Sequence, residues 1–363
     1  MSSLSRLPSL PITLPGRAAI QAIRIVSASA ITGVALPVPP PVIPNNGNLG
    51  LTFDASITQA SADVSLDSSV TLNSLSLGGS GTATLEANNS GVGITLGTPS
   101  STGNALAISI GGVLNINSGG SAAIDFSGGA GALNSLGGQI NVTDGGTLTL
   151  QNSLTSTGTL TDNGTIGLTG VASSATLMLD DTGNPGSTFN ISGSGTLTLR
   201  GLGQISGTQG DEVLVNGAGH TITGDGTITN LNLTNNGNIT ASTGNLILDV
   251  SSTGGLTNNS SLNVSDGSTL TIQNLSSANT TITNTGTINL NASANPTSLV
   301  LNDGGAGTTF TLTGTGGVLN MTDNAHNVIT SGTGGESLVN DTVTPFRARE
   351  RFRILPPSPI TAR

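Results

Sequence analysis

Two neighbouring aspartates, Asp180 and Asp181, are the first residues in this chain whose types and spacing suggest chemistry. Paired carboxylates are the machinery of glycoside hydrolysis, where one gives up a proton while the other attacks the sugar or activates water. Residues adjacent on a strand point to opposite faces, so at most one of the pair would serve a cleft unless both stand on a turn. The surrounding LDDTGNPG reads as a strand running into a turn, and both side chains are expected to cap it. Arg200 is the one base between Arg24 and Arg347, thin support for a lyase that needs a proton acceptor beside clustered acids. His220 and His326 have no partner at ligand spacing and are expected in solvated turns. The loops holding Asp144 and Asp225 are isolated, unlike tandem calcium-binding nonapeptides. The glycine-rich residues 127–131 precede no helix that would cradle a phosphate. No catalytic, cofactor-binding or metal-binding residue is assigned, and no cofactor is implied.

The elements that would hold such residues are short strands. Residues 141–168, NVTDGGTLTLQNSLTSTGTLTDNGTIGL, return at residues 263–290 as NVSDGSTLTIQNLSSANTTITNTGTINL, an offset of 122. Asp144 matches Asp266, Gln151-Asn152 matches Gln273-Asn274, and residues 176–181 (TLMLDD) match residues 298–303 (SLVLND) at the same offset. Glu212 and Glu336 correspond at an offset of 124. Within each copy, apolar residues alternate with Thr, as in a half-buried strand. Asn, Gly, Asp and Ser between these strings turn the chain. Strand and turn repeated with internal self-similarity is the pattern of a solenoid whose turns stack. Such arrays also explain the Thr pairs Thr147/Thr149, Thr196/Thr198, Thr221/Thr223, Thr227/Thr229, Thr269/Thr271, Thr281/Thr283 and Thr311/Thr313. Thr is a common strand former, and the irregular spacing of the pairs argues against an ice-ordering array.

Composition agrees. Gly contributes 53 of 363 residues, aromatics 2% and charged residues 8%. Low charge with evenly spaced aliphatics suits a thin continuous core rather than disorder. The absence of Cys excludes a disulfide framework and thiolate metal sites. The net charge is −10, and Arg is concentrated at the two ends, so the middle is strongly acidic and repels phosphate. No apolar run approaches the ~20 residues of a membrane-spanning helix.

The series PNNGN, TFDASI and DVSLDSSVTLNSLSLGG, with residues 216–238 (NGAGHTITGDGTITNLNLTNNGN) further on, resembles the bacterial surface β-helix repeat proteins of the autotransporter-passenger and PEP-CTERM-sorted adhesin kinds. The resemblance covers roughly residues 41–340. It implies a secreted, right-handed parallel β-helix with adhesive or structural roles, and it carries over no catalytic residue. The family's C-terminal translocator barrel and its sorting helix with a basic tail are not seen in this sequence. The expected fold is therefore all-β, a single right-handed parallel β-helix over residues 45–340. A leader-like, mostly disordered segment, 1–44, precedes it, and an Arg/Pro-rich tail outside the solenoid, 341–363, follows. The tail also reads as an out-of-frame remnant of further solenoid. The expected function is a non-enzymatic stalk or adhesin module, secreted or at the bacterial surface, meeting cell-surface or matrix glycans or proteins. Nucleic acid is not an expected partner. A polysaccharide-acting β-helix lyase or glycoside hydrolase is the alternative.

Overall fold

The alternating strings become strands where they are expected. TLTLQ forms Thr147–Gln151 and TLTIQ forms Thr269–Gln273, with Leu148, Leu150, Leu270 and Ile272 buried and the first and last residues of each string at the surface. The computed structural model describes residues 24–29, 346–348 and, short connecting stretches aside, 52–340. Its described residues contain strands and turns and no helix, and the strands stack in parallel as a β-solenoid.

Each turn of the solenoid lays down three strands, giving three faces. The first face runs from Thr52–Ile57 to Ser337–Asn340 and belongs to a 13-stranded sheet. The second runs from Ala62–Ser65 to Phe346–Ala348, and the third from Val70–Leu72 to Asn327–Ser331. These two form one 21-stranded sheet, because Thr165–Asp180 and Thr196–Gly207 continue around the corner between them. The ladder slips between Gly170 and Ala175 where that corner is turned. At the same corner two turns later, Gly224 has φ 131°, and a Cβ there would collide with the Leu199 carbonyl. Only glycine lets the chain bend against the turn beneath it.

Register carries the energetics. Leu96, Ile124, Leu150 and Leu179 lie directly over one another on the third face. Each contributes about 1.5–3 kcal/mol by leaving water. Phe126 and Phe189 fill the bore more widely, ring centroids 6.5 Å apart, and Gly158 makes room for the Phe126 ring. The 122-residue repeat is five turns: Asn141 is followed upward by Gly167, Thr198, Thr223, Thr240 and Asn263.

Two boundaries differ from expectation. Arg24–Ser29, within the leader-like segment, pairs antiparallel with Thr52–Ile57, the first strand of the first face. Phe346–Ala348, within the tail, continues the second face in parallel on Leu319, Asn320 and Met321. The physical reason is shared, since a terminal strand exposes a row of unpaired N–H and C=O groups that captures any extended segment of suitable reach. Most of 1–44 and 341–363 lies outside the described residues.

Leu150→Asp would put an unpaired charge into the bore and is expected to lower unfolding free energy by several kcal/mol. Thr149→Asp, one residue away and pointing outward, should stay within about 0.5 kcal/mol of wild type. Guanidinium unfolding of both variants checks the assignment, and equal effects would contradict it.

Candidate functional site

Asp180 ends the long strand Thr165–Asp180, and Asp181 begins the corner between the third and first faces. The two do separate as alternation requires. Asp180 is partly exposed and accepts hydrogen bonds from the Thr182 amide and hydroxyl. Asp181 is fully buried, and its Oδ2 accepts the Ser187 amide at 3.0 Å. Both therefore hold the turn, as expected for LDDTGNPG.

The acids that come together are different ones. Asp181, Asp211 and Glu212 each offer a carboxylate oxygen within 4.8 Å of the others. Burial pushes the Asp181 carboxyl up, the Ser187 amide opposes this, and the negative charges of Glu212 and Asp211 add to the rise. Glu212 is also fully buried, yet it falls below its ordinary value. Burial alone would raise it; the Thr208 hydroxyl and the amides of Gln209 and Gly210 outweigh that by holding the charged form. The second repeat copies the arrangement. Asp303 accepts the Thr308 and Gly305 amides, and Glu336 is held by the Ser331 and Thr333 hydroxyls and the Thr333 amide. Gly335 stands there where Asp211 stands in the first copy. A calcium ion takes six to eight oxygens, and here Glu212 has already committed both of its own to the loop that carries it. The pairing of Glu212 with Asp181 was not visible in the sequence, because 31 residues and a full turn separate them; the recurrence of Glu before VLVN and SLVN was the available signal.

A second set of acids serves the corner between the second and third faces. Asp144 Oδ1 accepts three successive amides from the turn above, Val171 at 2.6 Å, Ala172 at 3.0 Å and Ser173 at 3.3 Å. Asp266 repeats this with Ser293, Ala294 and Asn295, and gains the Asn295 side chain. These amides hold both carboxyls below the ordinary aspartate value, Val171 contributing most for Asp144 and Asn295 most for Asp266. Asp225 accepts the Gly201 amide in the same region.

His220 departs from expectation. It is fully buried at the corner between the first and second faces, with Nδ1 2.7 Å from Asn216 Oδ1 and Nε2 3.0 Å from Asp162 Oδ2. GAGH does form a turn, but the ring folds inward because two buried acceptors, Asn216 and Asp162, lie beneath it. His326 is exposed in a turn, as expected, and Arg200 is exposed on the second face. The Thr pairs are divided among all three faces; Thr196/Thr198 stack directly on Thr221/Thr223 on the second face, and Thr281/Thr283 on Thr311/Thr313 on the first. Around them the second face carries little charge. Its outward column runs Thr198, Thr223, Thr240, Asn263, Asn289 and Asn320, and each Asn amide donates downward to the asparagine beneath it, Asn320 to Asn289 and Asn289 to Asn263. From Gly112–Ile116 to Val318–Met321, Arg200 is the one ionisable residue on this face.

No protein-family description matches the chain, and no curated protein matches it. Among solved structures it is similar to a TibC-catalysed, hyper-glycosylated fragment of TibA, at 16% identity and a TM-score of 0.30, over 81% of this chain and 96% of that one.

Asp266→Asn should weaken the acceptor at the loop above. The amides of Ser293, Ala294 and Asn295 are then expected to exchange with solvent faster, while those of the bore strand Thr269–Gln273 keep their protection. In the wild type the same three amides should lose protection as pH falls below the ordinary aspartate value, about 3.9, because a carboxyl whose value is lowered by folding stabilises only while it is ionised. Hydrogen exchange read by NMR checks both, and unchanged rates would remove the capping role.

Proposed function

We propose that this chain is a non-enzymatic adhesive or structural β-solenoid, secreted from or displayed on a bacterial cell, that meets uncharged glycan or protein surfaces of other cells or matrix through its second face. The observation that carries this reading is the disposition of the acids. Asp144, Asp180, Asp181, Asp266, Asp303, Glu212 and Glu336 all accept hydrogen bonds from the turns they hold. What the second face presents over most of its length is an array of hydroxyls and amides. Such groups exchange hydrogen bonds with a neutral polar partner without the desolvation cost of a buried charge.

The polysaccharide-acting alternative is supported by the meeting of Asp181, Asp211 and Glu212. It is weakened by the full burial of Asp181 and Glu212, since a general acid or nucleophile must touch the glycosidic oxygen or the sugar ring.

Thr198→Asp with Thr240→Asp would set two charges on the second face, two turns apart. Saturable binding of the full chain to neutral glycan arrays or to whole cells is expected to fall at least tenfold in this variant, with the melting temperature nearly unchanged. Binding that survives the double substitution would refute the second face as the contact surface. Release of reducing or unsaturated ends from neutral or acidic polysaccharides, lost in Asp181→Asn or Asp180→Asn, would establish the enzymatic reading instead.

A further inference from the structure

Inside the bore, four asparagines occupy one column at the end of the first face: Asn216, Asn235, Asn258 and Asn284, all fully buried. Their amides run in one direction. Asn216 Nδ2 donates to Asn235 Oδ1 at 2.7 Å, Asn235 Nδ2 to Asn258 Oδ1 at 2.8 Å, and Asn258 Nδ2 to Asn284 Oδ1 at 2.7 Å. The direction is fixed by the backbone, because the same nitrogens face the carbonyls of Asn238, Ser261 and Thr287, which only accept. A ladder with every nitrogen pointing forward leaves its first oxygen, Asn216 Oδ1, in need of a donor. His220 Nδ1 supplies it at 2.7 Å. The other ring nitrogen faces Asp162 Oδ2 at 3.0 Å, while Asp162 Oδ1 takes the Gly164 amide at 2.8 Å. A Cβ at Gly195 would collide with this carboxylate, so glycine there makes space for it.

We infer that His220 is an imidazolium that donates from both ring nitrogens, and that the buried His220–Asp162 ion pair is a proton-held pin that starts the asparagine ladder. The two acceptors leave no other assignment for the ring that satisfies both an amide oxygen and an ionised carboxylate. When the proton leaves, either Asn216 Oδ1 or the Asp162 carboxylate is stranded in the bore, and an unsatisfied buried acceptor is costly. The strands around the ring offer no substitute. Thr157–Asp162 contributes Asp162 itself; Thr188–Ser192, Val213–Asn216, Thr221–Gly224, Asn232–Asn235 and Asn238–Ala241 contain no ionisable residue. Asp180 and Arg200, on the two long strands, are not fully buried: Asp180 lies at the far end of the third face and Arg200 points outward.

The middle of the solenoid is therefore held most firmly on the acid side of neutrality. The stabilisation lasts only while both ring nitrogens donate, because without the second proton one of the two buried acceptors is left unpaired. The composition makes the effect readable. The chain has two His and no Lys, Cys or Tyr, so few groups titrate between pH 6 and 9. Asp181, raised by burial, is a further candidate for the same sign, and variants at His220 separate the two.

Nitrogen-15 NMR of the histidine side chains in the full chain at pH 6 reads the proton count directly. The buried ring is expected to show two slowly exchanging N–H protons and imidazolium nitrogen shifts, while exposed His326 shows fast exchange. Guanidinium midpoints measured from pH 6 to 9 should fall with pH in the wild type and in His326→Gln, and should fall less steeply in His220→Gln and in Asp162→Asn. A neutral tautomer for the buried ring at pH 6, a wild-type midpoint independent of pH, or a slope as steep in His220→Gln as in the wild type overturns the assignment. The NMR measurement needs no variant, so it decides the matter even if His220→Gln fails to fold.

Discussion

In-register parallel hydrogen bonding between successive turns is the constraint from which the rest of this structure follows. Once one strand sits on another with matched residues, each side chain inherits the environment of the one beneath it. Leucine stacks on isoleucine in the bore, asparagine on asparagine at its corner, threonine and asparagine on each other outside. Each turn alone buries too little apolar surface to fold, so the column acts as the cooperative unit. The same repetition makes a misplaced charge costly at any height, because no turn has a thicker core in which to absorb it.

Much of this was legible in the sequence because a solenoid writes its register into its text. The strict alternation in TLTLQ and TLTIQ gives inside and outside, and Asp144 and Asp266, 122 residues apart, hold identical corners. What could not be read is anything that depends on contact between turns of unlike sequence. Asp181 meets Glu212 because a corner folds one turn onto the next, and turn lengths vary: 19 residues separate Asn216 from Asn235, and 26 separate Asn258 from Asn284. His220 was misread for a related reason. A histidine in a glycine-rich turn is expected in water, and its inward rotation follows only from Asp162, 58 residues earlier, and from the polarity of a ladder that begins above it. The strand at Arg24–Ser29 was hidden because open edges select partners by reach rather than by pattern.

The acids divide into two kinds of work. At one corner, partly exposed carboxylates gather amides from the turn above and stay ionised to low pH. At another, buried carboxylates face each other, and hydroxyls and amides decide which of them keeps its charge. Both are structural answers to one problem, the unpaired N–H groups left wherever a strand ladder stops for a turn. A chain with so few cations meets that need with anions and backbone dipoles.

The five-turn period has a consequence for anything that grips the outside. Corners built around Asp144 and Asp266 are near copies held on a rigid rod, separated along its axis by five strand spacings, about 24 Å. A ligand bearing two copies of one epitope, set at that separation, would engage the second corner as an intramolecular event once the first is bound. Its avidity would then exceed either single affinity by about 10²–10⁴ without a new contact. The repeat length in the sequence is thus also a ruler, and it sets the span that a multivalent partner must match.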